Sequence, residues 1–142
     1  RHGCRLSLEN EAVCWGATGT EAAALIRRVG TDNLSLLWDP GNSAMAGAES
    51  PYPDEYAGLK DLVSHVHLKN CRDNKWALID DGPIDWPGQL ATLAADNYDG
   101  FIAIETHLKE RPRGLDLHEG LDALESNTRH NLDYVRALLA SR

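Results

Sequence analysis

The chain has 142 residues, 42% hydrophobic and 25% charged, a composition that excludes disorder and suits one globular core of single-domain size. With 14 Lys and Arg against 22 Asp and Glu the formal charge is -8, which opposes a nucleic-acid surface, and the basic clusters Arg27/Arg28 and Arg111/Arg113 are too short to track phosphates. No run approaches the ~20 apolar residues of a membrane span and no signal-peptide pattern opens the sequence; the 3 cysteines, Cys4, Cys14 and Cys71, lack a CxxC and fit reduced thiols in the cytoplasm.

Residues 5–9 alternate as a short strand. Residues 18–30 read as a helix: Thr18 or Thr20 caps it, Glu21 lies in its first turn, Arg27 and Arg28 lie in its last, and Gly30 stops it. Residues 33–39 (NLSLLWD) form the next strand, broken by Pro40-Gly41. A helix over 53–63 leads to a third strand over 64–70 (SHVHLKN). A long loop rich in Asp, Gly and Pro follows over 71–85, then a helix over 86–97. Residues 100–107 (GFIAIETH) are the fourth strand and 117–140 a final long helix. Strands alternating with helices predict an α/β fold with a parallel sheet, because parallel neighbours need helical crossovers.

Each predicted strand ends in a residue able to ligate a metal: Glu9, Asp39, His67 and Glu105, spaced by 30, 28 and 38 residues, about one βα unit each. Side chains alternate across a strand. Ser7 and Glu9 therefore oppose Leu6 and Leu8; His65, His67 and Lys69 oppose Val66 and Leu68; Ala103, Glu105 and His107 oppose Ile102 and Ile104. The second strand is less clean, since Leu37 shares the face of Asp39. Four such ends on neighbouring parallel strands converge at the carboxyl edge of the sheet, where α/β folds put their sites. Three carboxylates and one imidazole suit Mn²⁺, Mg²⁺, Co²⁺ or Zn²⁺ rather than a thiolate-held structural zinc. Taken singly, an acid at a strand end is most often a helix N-cap or a solvated turn residue; what sets these four apart is that successive strand ends share one parity.

LSLEN (Leu6 to Asn10), LLWDPGN (Leu36 to Asn42), HVHLKN (His65 to Asn70), GPIDW (Gly82 to Trp86) and YDGFIAIETH (Tyr98 to His107) occur in order along nearly the whole chain. Together they resemble the sugar phosphate isomerase/epimerase superfamily, the xylose-isomerase-like barrels. The resemblance implies a (β/α)8 barrel of ~250 residues, of which this chain would supply strands five to eight: a single partial domain over 1–142 that needs an N-terminal half-barrel, as a fragment or as half of a two-chain assembly. It implies one divalent metal held by Glu9, Asp39, His67 and Glu105, with His65 a packed interior histidine. It also implies a sugar or sugar phosphate substrate, proton transfer through a metal-stabilised enediolate by Glu9 and Glu105, and a possible homo-oligomer.

Other positions carry two readings each. Asn42 stands where many epimerases place a histidine, and either meets a substrate hydroxyl or caps a turn. Lys69 either faces a developing oxyanion or pairs with a barrel carboxylate. Arg72 and Asp73 either anchor substrate or are solvated loop. Trp15 is a candidate pocket wall, Trp86 a helix-packing residue, and Cys71 incidental. An apurinic endonuclease is the rival reading within the superfamily. It is disfavoured by Asn42 in place of the histidine, by the lack of a DxH after His67 and by the acidic charge. A non-catalytic sugar-binding barrel is the rival from another class, and the intact pair Glu9 and Glu105 argues against it.

Overall fold

The computed structural model describes residues 3–140, so the four terminal positions of the predicted 1–142 domain lie outside the described residues. Its main sheet contains β1 (Leu6–Glu9), β2 (Leu34–Trp38), β3 (Val63–Leu68) and β6 (Phe101–Ile104), adjacent in that order and parallel throughout. A second, antiparallel hairpin pairs β4 (Asn70–Arg72) with β5 (Lys75–Ala77). The helices are α1 (Gly19–Val29), α2 (Pro40–Met45), α3 (Tyr56–Leu59), α4 (Trp86–Ala95) and α5 (Ala123–Ala140). None is long and apolar enough to cross a membrane.

Local chemistry accounts for the helix ends. Thr18 Oγ1 accepts the Glu21 N–H while Glu21 Oε2 accepts the Thr18 N–H, a capping box that satisfies two donors at the start of α1. Gly30 closes the same helix in the left-handed conformation (φ 63°) and donates its N–H to the Ile26 carbonyl. Asp39 caps α2 and Asp85 caps α4, through hydrogen bonds of 2.9 Å from the N–H groups of Asn42 and Gly88.

The core lies on one face of the sheet. Leu36, Trp38, Val66 and Leu68 are almost fully buried against Ala22, Ala23 and Ile26 of α1, Leu59 of α3, and Leu90 and Leu93 of α4. The opposite face carries Ser7, Ser35, Leu37, His65 and His67, none of them fully buried. Ser7, Ser35 and Ser64 share hydroxyl contacts of 2.6–3.2 Å. Ser64 reaches that face through a register shift: Leu36 pairs with Val63 but Leu37 pairs with His65, so Ser64 is the extra residue of a bulge.

Several predicted boundaries change. The predicted helix over 53–63 resolves into a wide turn at Pro51–Glu55, the single α-turn of α3 and a 3₁₀ turn at Lys60–Leu62, with residue 63 already in β3. Pro51 and Pro53 remove backbone donors and prevent a continuous helix there. Pro40-Gly41 ends a strand as expected and also opens α2, since proline suits the first helical turn. The third strand ends at Leu68, and Asn70 with the start of the predicted loop over 71–85 forms the β4–β5 hairpin, whose two turn residues Asp73 and Asn74 both have positive φ, 51° and 56°. The final helix begins at Ala123 rather than 117, where Asp122 and Glu125 form a second reciprocal cap. β6 ends at Ile104, so Glu105 follows the strand, its N–H still bonded to the Leu68 carbonyl at 3.1 Å.

Candidate metal centre

Parallel pairing brings the carboxyl ends of β1, β2, β3 and β6 to one edge, and with them Glu9, Asp39, His67 and Glu105. One donor atom from each of these residues lies within 4.8 Å of every other. His67 Nδ1 is 3.0 Å from Glu9 Oε1, 3.2 Å from Glu105 Oε2 and 3.8 Å from Asp39 Oδ2. Ligand bonds of about 2.1 Å place neighbouring donors about 3 Å apart and opposed donors about 4 Å apart, and the three distances from His67 Nδ1 fall in that range. Two donors add to that fit: the buried Asp39 Oδ2 and Glu105 Oε2 have no hydrogen-bond partner of good geometry. Lys69 Nζ, at 3.0 and 2.6 Å, meets them as a charge. The donor set is hard to borderline, the chemistry of Mg²⁺, Mn²⁺, Co²⁺ or Zn²⁺ sites.

A surrounding layer fixes these groups. Asp39 Oδ1 is occupied by the Asn42 N–H, which leaves Oδ2 for the centre. Asn42, fully buried, donates from Nδ2 to Glu9 Oε1 at 3.3 Å and accepts from Lys69 Nζ at Oδ1 at 3.1 Å. Glu105 Oε1 is met by His107 Nε2 at 3.2 Å. Burial pushes the Asp39 carboxyl up to about 6, against the pull of Lys69 and the Asn42 N–H. The hydrogen bond to Glu9 raises His67 above the ordinary histidine value, outweighing its burial. Burial pulls Lys69 down, but Asp39 and Glu105 more than offset it and keep it a cation. Burial likewise pushes Glu105 up, and Lys69 overrides it, holding the carboxyl below the ordinary glutamate value.

Of the other sequence candidates, Asn42 and Lys69 join the cluster. Asp39 plays both parts considered for it, helix cap and cluster member. His65 packs edge-on to His67 with ring centres 5.4 Å apart. Trp86 is fully buried and donates from Nε1 to the Lys69 carbonyl at 3.1 Å. Arg72 pairs with Asp81 at 2.9 Å and lines an open cavity of about 420 Å³ with Cys71 and Asp73. Trp15 is 97% exposed and borders a separate groove with Glu21, Leu25 and Arg28, so the structure does not bring it to the cluster.

Two residues that surround the cluster were not singled out from sequence, and a third, His107, was placed on the Glu105 face without a role. Asn10 is fully buried, accepts the Asp39 N–H at 2.9 Å and donates to the Asp39 carbonyl at 2.7 Å, clamping the peptide that presents the carboxylate. Trp76, on β5, sets its ring 4.7 Å from Lys69 Nζ and 5.1 Å from the His107 ring. His107 completes the set. The signal for Trp76 was the Asp73-Asn74 pair, a two-residue turn that folds β5 back over the site.

A family model described as a xylose isomerase-like TIM barrel matches residues 1–136. The chain belongs to this family. An uncharacterized protein of Methanocaldococcus jannaschii is 27% identical over 109 residues, which cover 73% of this chain and 37% of that protein. A xylose isomerase-like TIM barrel protein from Mycobacterium smegmatis, solved in complex with magnesium, aligns with a TM-score of 0.69 and 23% identity over 98% of this chain and 45% of its own. The 3-keto-D-glucoside 4-epimerase of E. coli aligns with a TM-score of 0.69 and 20% identity over 95% of this chain and 46% of its own. The chain thus spans less than half the length of each of these proteins, and its parallel α/β sheet is part of a xylose isomerase-like TIM barrel.

Proposed function

We propose that this chain carries the metal centre of a sugar or sugar phosphate isomerase or epimerase that works by proton transfer. The observation that carries the reading is the cluster itself: Glu9 and Glu105 approach His67 Nδ1 at 3.0 and 3.2 Å from the two outer strands of the sheet, with Asp39 between them in strand order. The epimerase among the structural neighbours and the magnesium in another support it.

Glu9, Asp39, His67 and Glu105 would hold one divalent ion. Once bound, such an ion polarises a hydroxy-carbonyl substrate and lowers the pKa of the neighbouring C–H and O–H. The chain's own residues do the rest. Glu9 and Glu105, each partly exposed, are the groups able to reach a substrate proton: one removes it and the other returns it, by way of an enediolate. Asn42 orients Glu9 and His107 orients Glu105 through the contacts described above. Asp39, fully buried, holds the centre and takes no proton from substrate.

The test is solvent deuterium exchange by the intact protein with Mn²⁺, over a panel of ketoses and ketose phosphates, beside Glu9→Gln and Glu105→Gln. Deuterium should enter a carbon next to the carbonyl in the wild type. Each substitution should lower the rate by a factor of roughly 10² or more. Mn²⁺ binding without exchange on any sugar would instead favour the non-catalytic binding barrel.

A further inference from the structure

Lys69 is enclosed on every side. It lies just past the end of β3, two residues after His67, is 2% exposed, and has its carbonyl held by Trp86. Its stem runs beneath α2 at Gly41, where a Cβ would come within 3.0 Å of Lys69 Cβ and 3.1 Å of Cγ. Glycine at 41 gives the stem its room. The ammonium lies 3.0 Å from Asp39 Oδ2 and 2.6 Å from Glu105 Oε2, donates to Asn42 Oδ1 at 3.1 Å, and is covered by the Trp76 ring at 4.7 Å. Asp39 Oδ2 and Glu105 Oε2 are also the oxygens of those residues that face His67 Nδ1. Lys69 therefore sits against donors that a divalent ion would use.

Three carboxylates this close repel one another, the more so because Asp39 is fully buried and Glu9 and Glu105 are only partly exposed. A fixed ammonium relieves that repulsion before an ion binds and opposes the ion as it arrives. We propose that Lys69 is a resident counter-cation, a positioning residue that holds Asp39 and Glu105 closed around the centre in the metal-free protein and keeps the bound ion exchangeable. This rests on the metal-dependent reading above. With an ammonium and a divalent ion balancing three carboxylates, the loaded site buries no net charge.

The sign of two effects separates this role from a merely structural one. Loss of a structural post would weaken both the fold and ion binding. Loss of a counter-cation weakens the metal-free fold and strengthens ion binding. Mn²⁺ titration calorimetry and thermal unfolding with and without Mn²⁺, on the intact wild type, Lys69→Met and Trp76→Leu, read both signs. Lys69→Met should bind Mn²⁺ roughly tenfold tighter. Its metal-free Tm should fall by about 5 °C, with saturating Mn²⁺ restoring most of the loss. Trp76→Leu, which uncovers the ammonium and also removes the ring beside His107, should move both quantities the same way by less. Weaker Mn²⁺ binding by Lys69→Met overturns the proposal. If Lys69→Met does not fold, Trp76→Leu decides, and unchanged or weaker binding overturns it. A wild type that binds no Mn²⁺ overturns the metal-dependent reading itself and this proposal with it.

Discussion

At the scale of single residues, the centre is governed by groups whose proton affinities the fold has changed. Burial raises Asp39 from 3.8 to about 6, and the bond to Glu9 raises His67 above 6.5. Both bind protons more tightly folded than unfolded, so their contribution to stability is present at low pH and lost as pH rises: for Asp39 between 3.8 and about 6, for His67 from 6.5 upward. Glu105 has the opposite sign, but its contribution is complete above 4.5. Between pH 5 and 8 Asp39 and His67 therefore contribute less to the metal-free site as pH rises, whereas His65, which burial holds below 6.5, has the opposite sign in both metal-free and metal-bound protein. Metal ligation requires the deprotonated forms and so strengthens over the same interval. The gap in Tm between Mn²⁺-saturated and metal-free protein is expected to widen from pH 5.5 to pH 8. A gap that stays constant or narrows would remove Asp39 and His67 from the ligand set. These members of the cluster were legible in the sequence because strand parity and strand ends are local patterns. Asn10 was not: it clamps Asp39 from 29 positions away, and a single long-range hydrogen bond leaves no periodicity to read.

At the scale of elements, regular pieces were legible and short ones were not. The capping box and glycine stop of α1 are written in Thr18, Glu21 and Gly30, each acting within four residues of its partner. The three-residue strands of the β4–β5 hairpin are too short to show alternation, and the Ser64 bulge depends on pairing with β2 rather than on its own neighbours. Packing can also override local preference, as Gly19 shows at the start of α1. Helix propensity alone favours Ala over Gly by about 1 kcal/mol. A Cβ at Gly19, however, would overlap the Trp38 ring and come within 2.6 Å of Leu59 Cδ2. Trp38 and Leu59 are fully buried and have little freedom to move aside. Gly19→Ala is therefore expected to destabilise the protein by about 1–3 kcal/mol in chemical denaturation. A stabilising Gly19→Ala would show that α1 does not pack against β2 this closely.

At the scale of the molecule, the sheet covers one face with helices and leaves its two outer strands open. Among the described residues, β1 pairs only with β2 and β6 only with β3. Leu6 is 66% exposed, Phe101 78% and Ile102 40%, and these apolar side chains lie on the two edge strands. An exposed strand edge with apolar residues is a template for pairing with another chain. Yet all four cluster residues come from these four strands or the positions just after them, so the donor set does not depend on further strands, whereas a substrate would touch loops from every strand of a barrel. Two consequences can be separated by experiment on the 142-residue chain alone. It is expected to self-associate as concentration rises in light scattering, and Phe101→Lys is expected to reduce that association. The same substitution should change stability by no more than about 0.5 kcal/mol, as at other exposed positions, and should leave Mn²⁺ affinity unchanged, because Phe101 lies at the opposite end of β6 from Glu105. Equal association of both chains would move the sticky surface away from β6. Loss of Mn²⁺ binding in Phe101→Lys would mean that the edge strand and the metal centre are coupled through the sheet.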